Sequence, residues 1–307
     1  MAGVYANAGI DKRYSCVPLE WHKQSHGWKD RTEIFVDSAV DLLVSAAQKA
    51  IDGASLVATD IDGIVTVSST GLAVPSLDSL LMDRMPFRRD VQRLPIFGLG
   101  CGGGVLGLSR AAALAQAQPG SRWLFLVVEL CGITFREADL SKSNIIATAL
   151  FGDGAAAAIV QVDSSGKRLA SWGEYCWPNS SDIMGWNIEE DGFGVRFSRD
   201  IPQFVRSKMR QAADRFLEQS SVPFESLDQF IFHPGGAKVL SALEDAFEIS
   251  PSGLKLARDV LREYGNMSAA TVLFVLERAL AQHPSGVGLV GALGPGFSAG
   301  FLVMDDI

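Results

Sequence analysis

Leu94-Pro-Ile-Phe-Gly-Leu-Gly-Cys-Gly-Gly-Gly-Val-Leu-Gly-Leu-Ser-Arg-Ala-Ala-Ala-Leu-Ala115 changes character twice along its length. Pro95-Ile96-Phe97 is a short apolar run that reads as a buried strand. Gly98, Gly100, Gly102 and Gly103 then bracket Cys101, and Gly104-Val105-Leu106 opens a helix rich in Ala and Leu. A thiol at such a turn faces unpaired backbone N–H groups and the positive end of a helix dipole, both of which favour thiolate. The glycines clear side chains from its approach. Two other readings stand beside this one. Cys101 can be a small buried residue in a tight turn. Alternatively, Gly98-x-Gly100-x-x-Gly103 satisfies the dinucleotide-binding spacing, and the next apolar run, Trp123 to Glu129, ends in the acid that such a site uses.

The remaining composition narrows the field. At 307 residues the chain has room for a large core, and 48% hydrophobic against 20% charged residues fits a compact α/β protein rather than a disordered one. A net charge of −8 gives no general attraction for nucleic acid or an anionic membrane, so an anionic cosubstrate needs a local basic patch. No apolar run reaches the length of a membrane span, and the first residues lack the form of a signal peptide, which makes the cytoplasm the expected location. Cys16, Cys101, Cys131 and Cys176 are far apart. With His22, His26, His233 and His283 they make no ligand spacing, so neither a metal site nor a disulfide framework is expected. His22 and His26 read as surface residues in a polar stretch.

Residues 1–34 show no clear period, and Asp37-Ser38 is a candidate cap for a helix to about Ala50. Strands are expected at Gly63–Ser69, Trp123–Glu129, Ala155–Val162, Val287–Leu293 and Gly300–Met304. Helices are expected at Ser143–Leu150, Asp200–Gln219, Gly236–Phe247, Leu254–Tyr264 and Ser268–Ala281. A weak duplication runs through this order. Leu94–Phe97 with its glycine turn resembles Gln229–Phe232 with His233-Pro234-Gly235-Gly236, and Leu150–Ala155 resembles Leu293–Phe297. The expected result is two halves, 1–165 and 166–307, with Cys101 and His233 at corresponding positions.

Alone, His233 reads as a satisfied turn histidine and Asn266, in Gly265-Asn266-Met267-Ser268, as a helix cap. Taken together, Cys, His and Asn beside glycines at element ends form a thiol-nucleophile set. With these residues in place the sequence resembles the thiolase superfamily, and within it the type III polyketide synthases of the chalcone and stilbene synthase family. The motifs are Gly100-Cys101-x-Gly103-Gly104, Leu150-Phe-Gly-Asp-Gly-Ala-Ala-Ala157, His233-Pro-Gly-Gly236, Gly265-Asn-Met-Ser268 and Gly294-Pro-Gly296.

The resemblance implies an α/β fold with five αβαβα layers, built from two pseudo-repeated halves, and a homodimer. It implies acyl-CoA and malonyl-CoA as substrates, with no metal or other cofactor. Cys101 would carry the acyl group, His233 would hold it as thiolate in an imidazolium pair, and Asn266 with His233 would receive the enolate left by decarboxylation. Phe151 matches a gatekeeping aromatic, and Thr134, Trp186, Val195, Ser268, Gly294, Pro295 and Gly296 match substrate-binding positions. Met184–Asn187 with Phe197–Pro202 looks like members that make alkylpyrones or alkylresorcinols. The family's usual first strand and helix have no counterpart ahead of Gly9, which leaves Lys12 and Arg13 as the nearest basic residues for the CoA phosphates. Three alternatives remain: a single-condensation enzyme of the ketoacyl synthase III kind, an NAD-dependent oxidoreductase, and a truncated non-catalytic paralogue.

Overall fold

Two mixed four-stranded sheets carry the chain in a computed structural model that describes residues 5, 7–163, 167–250, 252–282 and 285–306. The expected boundary at 165/166 and His283 lie outside the described residues. The first sheet contains β1 (Gly63–Val67), β2 (Gln92–Ile96), β3 (Arg122–Leu130) and β4 (Asp153–Gln161) in the order β2-β1-β3-β4. The second contains β5 (Lys167–Cys176), β8 (Gln229–Phe232), β9 (Gly288–Gly294) and β10 (Ser298–Asp306) in the order β5-β10-β9-β8. Between them in sequence, β6 (Met184–Glu189) and β7 (Gly192–Phe197) form a separate hairpin.

Strand β3 shows why the sheet is covered on both sides. Leu124, Leu126, Val128 and Leu130 belong to one apolar cluster, with Phe35, Leu43 and Ile51 of α1 (Trp28–Gly53). Trp123, Phe125 and Val127 alternate with them and join the other cluster, with Val105 and Leu108 of α3 (Gly103–Ala117). The short α2 (Leu77–Leu81) lies beside α1. Burying each such Leu or Phe contributes about 1.5–3 kcal/mol, so the double-sided strand is a large part of the core. Helix α3 lies between the sheets together with α8 (Thr271–Gln282), since Leu106 and Val105 also meet Gly300 of β10. Beyond the second sheet lie α5 (Ile201–Gln219) and α6 (Ala237–Phe247), where Phe216 stacks on Phe301 at 5.5 Å. The layers are therefore αβαβα. The remaining helices, α4 (Lys142–Leu150) and α7 (Lys255–Tyr264), end at the turns that bear Phe151 and Asn266. Among the described residues no helix is long and apolar enough to cross a membrane.

Three expectations are corrected. Pro95-Ile96-Phe97 lies at the end of an exposed edge strand rather than a buried one, because β2 pairs only with β1 among the described residues, and Gln92 to Pro95 and Phe97 are exposed. Helix α1 begins nine residues before Asp37, because its polar first turns are held by distant backbone. Trp28 donates to the Glu189 carbonyl at 2.9 Å, and the buried Arg31 donates to the carbonyls of His26, Ile133, Phe135 and Asp191. His22 and His26 are half-buried rather than on the surface, with His26 stacked on Trp21 at 3.9 Å.

The duplication also pairs differently. Strand β8 runs parallel to β9 and β9 antiparallel to β10, as β1 does to β3 and β3 to β4. His233 therefore corresponds to the turn after β1, and Asn266, ahead of α8, corresponds to Cys101, ahead of α3. The second likeness, of Gly152–Gly154 with Gly294–Gly296, agrees with this topology, because these turns lead into β4 and β10.

Candidate active site

Cys101 sits in a single 3₁₀ turn, Gly100–Gly102, directly ahead of α3. The turn is held from two sides. Gly100 N–H donates to Ser69 Oγ at 3.0 Å, and a Cβ on Gly100, whose φ is +48°, would lie 2.6 Å from Pro295 Cδ. On the far side, Gly104 allows α3 to approach the second half, since a Cβ there would lie 2.3 Å from the Ala269 carbonyl oxygen and 2.6 Å from Val272. These glycines serve helix packing, not a pyrophosphate. Glu129 is likewise engaged, for one of its oxygens accepts from Ser69 N–H at 3.0 Å and Thr70 Oγ1 at 2.8 Å. Burial pushes its carboxyl up to about 7. The dinucleotide reading of this region ends there.

Cys101 Sγ lies 3.6 Å from Ser268 Oγ. Ser268 takes a left-handed φ of +47°, held by its N–H on Asn266 Oδ1 at 2.8 Å and by its carbonyl on Thr271 Oγ1 at 2.9 Å. Asn266 Nδ2 donates to the Gly235 carbonyl at 3.3 Å, which brings it to the turn that carries His233. His233 is buried at the end of β8, and both of its ring nitrogens are buried without a hydrogen-bond partner among the described residues. A buried imidazole with no protein partner at a cavity wall has both nitrogens available to a bound ligand.

The three side chains line one cavity of about 420 Å³. Its walls are apolar, with Ile146, Leu150, Phe197, Met209, Phe232 and Leu243 among them. Its rim includes Arg199 and Lys238, both exposed, and neither has an ion-pair partner among the described residues. Neither cation carries a sequence signal of a site: Arg199 lies within the Phe197–Pro202 stretch, and Lys238 is one more polar residue in the first turn of α6.

Burial opposes charge on both members of the thiolate–imidazolium pair that the resemblance implies. Burial pushes the Cys101 thiol up to about 12, with the Glu129 carboxylate adding to the rise and Ser268 and Asn266 opposing it. Burial alone pushes His233 down to about 3. The turn's dipole favours a thiolate, and loss of solvent around the buried sulfur opposes it.

The remaining residues expected at the site are placed apart from this cavity. Phe151, Trp186, Phe193 and Phe197 pack edge-on and stacked at 5.7–6.2 Å, and Trp186 Nε1 donates to the Ser69 carbonyl at 2.7 Å. This aromatic cluster backs the cavity wall, which it reaches through Phe197 beside Leu150. Thr134 Oγ1 donates to the Cys131 carbonyl at 2.7 Å, beside Arg31 and Ile133. Val195 is buried with Cys131, Ala147 and Phe151 and pairs with Trp186 in the β6–β7 hairpin, at the edge of an outer cleft that holds Arg136 and Asp139. Gly294 and Pro295 support the Cys101 turn from behind, Gly296 lies against Cys176 and Ser298, and none of the three lines the cavity. Lys12 and Arg13 do not line it either: the Lys12 ammonium lies over the Tyr14 ring at 4.5 Å, and Arg13 is bonded to backbone carbonyls.

Comparison with known proteins decides what this geometry belongs to. Residues 18–164 match the family model for the N-terminal domain of chalcone and stilbene synthases, and residues 169–307 match the model for the C-terminal domain. The chain belongs to the chalcone and stilbene synthase family. It is a type III polyketide synthase. It is 34% identical to a putative chalcone synthase of Bacillus subtilis, over 97% of this chain and 87% of that protein. To a 1,3,6,8-tetrahydroxynaphthalene synthase of Streptomyces peucetius it is 36% identical, over 98% and 82% respectively. The crystal structure of the tetrahydroxynaphthalene synthase of Streptomyces coelicolor superposes with a TM-score of 0.94 at 30% identity, covering 99% of this chain and 88% of the other.

Proposed function

We propose that this synthase loads an acyl group from acyl-CoA onto Cys101, extends it with malonyl-CoA and releases a cyclised product. The observation that carries the reading is the cavity in which Cys101, the unpartnered His233 and Asn266 meet. Burial opposes a charge on either the thiol or the imidazole alone. Passing the Cys101 proton to His233 creates both charges together, and their attraction offsets part of the desolvation. The thiolate then attacks the thioester carbonyl, the C–S bond to CoA breaks, and the departing thiolate takes the proton back from His233.

Malonyl-CoA next loses CO₂. The electron pair released moves into its thioester carbonyl, whose oxygen receives hydrogen bonds from His233 and Asn266 Nδ2. Because decarboxylation supplies the carbanion, no strong base is needed. The enolate carbon attacks the Cys101 thioester and expels the sulfur.

Arg199 and Lys238, unpaired at the rim, suit the phosphates of CoA on a chain that is otherwise acidic. The apolar walls favour an aliphatic starter and hence a pyrone or resorcinol product. The Streptomyces relatives favour a second product, since tetrahydroxynaphthalene is a ten-carbon ring system with no alkyl arm. Incubation with malonyl-CoA alone, and with a series of fatty acyl-CoAs, separates these readings by mass spectrometry. A single β-ketoacyl product from every starter would overturn both. Strand β2 is an exposed sheet edge followed by the exposed Phe97, which suits pairing with a second copy in a homodimer. Sedimentation at micromolar concentration tests that arrangement.

A further inference from the structure

The segment Asp11–Cys16 ties together the two turns that end beside the cavity. Asp11 and Lys12 donate their N–H groups to the Arg262 carbonyl at the end of α7, at 2.8 and 3.1 Å, and the Tyr14 ring stacks on Tyr264 at 5.6 Å. On the other side the Tyr14 carbonyl accepts from Asp153 N–H at 2.9 Å. The buried Asp153 carboxylate accepts from Cys16 N–H at 2.8 Å and Gly132 N–H at 2.6 Å.

Arg13 lies between these contacts. Its guanidinium donates to the carbonyl of Thr148, in the last turn of α4, and to that of Phe151 just beyond it, the latter at 3.0 Å. Those carbonyls have no partner within the helix, and a cation there also meets the negative end of the helix dipole. The arginine stem covers the backbone next to Asn266, for a Cβ on Gly265 would lie 2.8 Å from Arg13 Cγ. Directly beneath, the two turns are bonded to each other. Asn266 N–H donates to the Leu150 carbonyl at 2.8 Å, and Gly152 N–H donates to the Asn266 carbonyl at 3.0 Å. No other cation holds the end of α4 among the hydrogen bonds of the described residues.

We propose that Arg13 is a positioning residue: by clamping the Thr148–Phe151 carbonyls over Gly265 it fixes the turn from which the Asn266 carboxamide enters the cavity. Arg13 touches no substrate. The inference rests on the reading of Asn266 as an enolate donor. It differs from a phosphate-binding role for Arg13, which would place the guanidinium at the cavity rim, where Arg199 and Lys238 stand.

The test measures malonyl-CoA decarboxylation by Arg13→Ala, Arg13→Lys and Asn266→Ala in the full-length protein, with iodoacetamide alkylation of Cys101 alongside. Arg13→Ala is expected to lower kcat by about 10- to 100-fold, the scale of a misplacement of about 1 Å, and to leave KM within about twofold. Arg13→Lys keeps the charge and can reach one of the two carbonyls, so its kcat falls between wild type and Arg13→Ala. Alkylation of Cys101 stays within about twofold of wild type in both variants, which also reports that the fold is retained. A raised KM with unchanged kcat, relieved when the substrate lacks the 3′-phosphate, overturns the proposal in favour of substrate contact. Wild-type kcat in Arg13→Ala beside a disabled Asn266→Ala overturns it outright. Normal decarboxylation by Asn266→Ala instead removes the enolate reading beneath it.

Discussion

Gly104→Ala tests how the two halves bring the site together. The added Cβ would lie 2.3 Å from the Ala269 carbonyl oxygen, 2.6 Å from Val272 and 3.0 Å from Leu273. Real Cβ atoms do not approach below 3.0 Å, so α3 must recede from the Ser268–Thr271 segment by at least about 0.7 Å (3.0 − 2.3). The obstacle is main chain at the start of a buried helix, so no side-chain rotation relieves it. Overpacking of this kind costs roughly 1–3 kcal/mol, and in a protein of this size each kcal/mol lowers Tm by about 2–4 °C. The shift also moves Cys101, three residues upstream, away from Ser268 and Asn266, and a displacement near 1 Å costs about 100-fold in rate. Thermal unfolding and condensation with malonyl-CoA are the assays. Gly98→Ala is the control: Gly98 has φ +94° but nothing within 4 Å of a Cβ, so it carries backbone strain without displacing a helix. Gly104→Ala is expected to lose activity far more than Gly98→Ala. Full activity and an unchanged Tm in Gly104→Ala would show that the halves do not meet as described.

The remaining predictions concern protons and the wall. With the Cys101 thiol pushed up to about 12, its alkylation rate should keep rising from pH 7 to pH 10, whereas a plateau reached near pH 6 would show a pre-formed thiolate–imidazolium pair. Ser268→Ala removes a group that opposes this rise, so alkylation at pH 8 should slow by several-fold. Glu129 has a folded pKa raised to about 7 from an ordinary 4.5. The folded state therefore holds more protons between those values, and stability falls as pH rises through the window. Glu129→Gln should accordingly be more stable relative to wild type at pH 8 than at pH 5, by on the order of 3 kcal/mol, read as a difference in Tm shift; an equal Tm difference at both pH values counts against this. Trp186→Ala removes the indole held on the Ser69 carbonyl and opens the region behind Phe151. Products one or more malonyl units longer are expected by mass spectrometry, and an unchanged product distribution would make Trp186 a core residue only.

The strands and most helices were legible because their residues carry the signal locally. Trp123–Glu129 is an unbroken apolar run, and the structure covers both of its faces. Gly100-Cys101-x-Gly103-Gly104 announces a turn into a helix whatever surrounds it. The first turns of α1 were not legible, since Trp28 and Arg31 are held by the carbonyls of Ile133, Glu189 and Asp191, which lie far along the chain.

For the site, the sequence determined which residue types are present and that they sit beside glycines at element ends. It did not determine their pairing, which follows sheet topology and sets Cys101 opposite Asn266 rather than His233. Nor did it determine the protonation of the thiol and imidazole. A helix dipole can be read from sequence, but desolvation depends on everything that packs around the group. The same holds for Arg13. Its charge suggested a ligand phosphate, and only the tertiary structure shows that the nearest acceptors are the carbonyls of Thr148 and Phe151, because the end of α4 has no partner of its own.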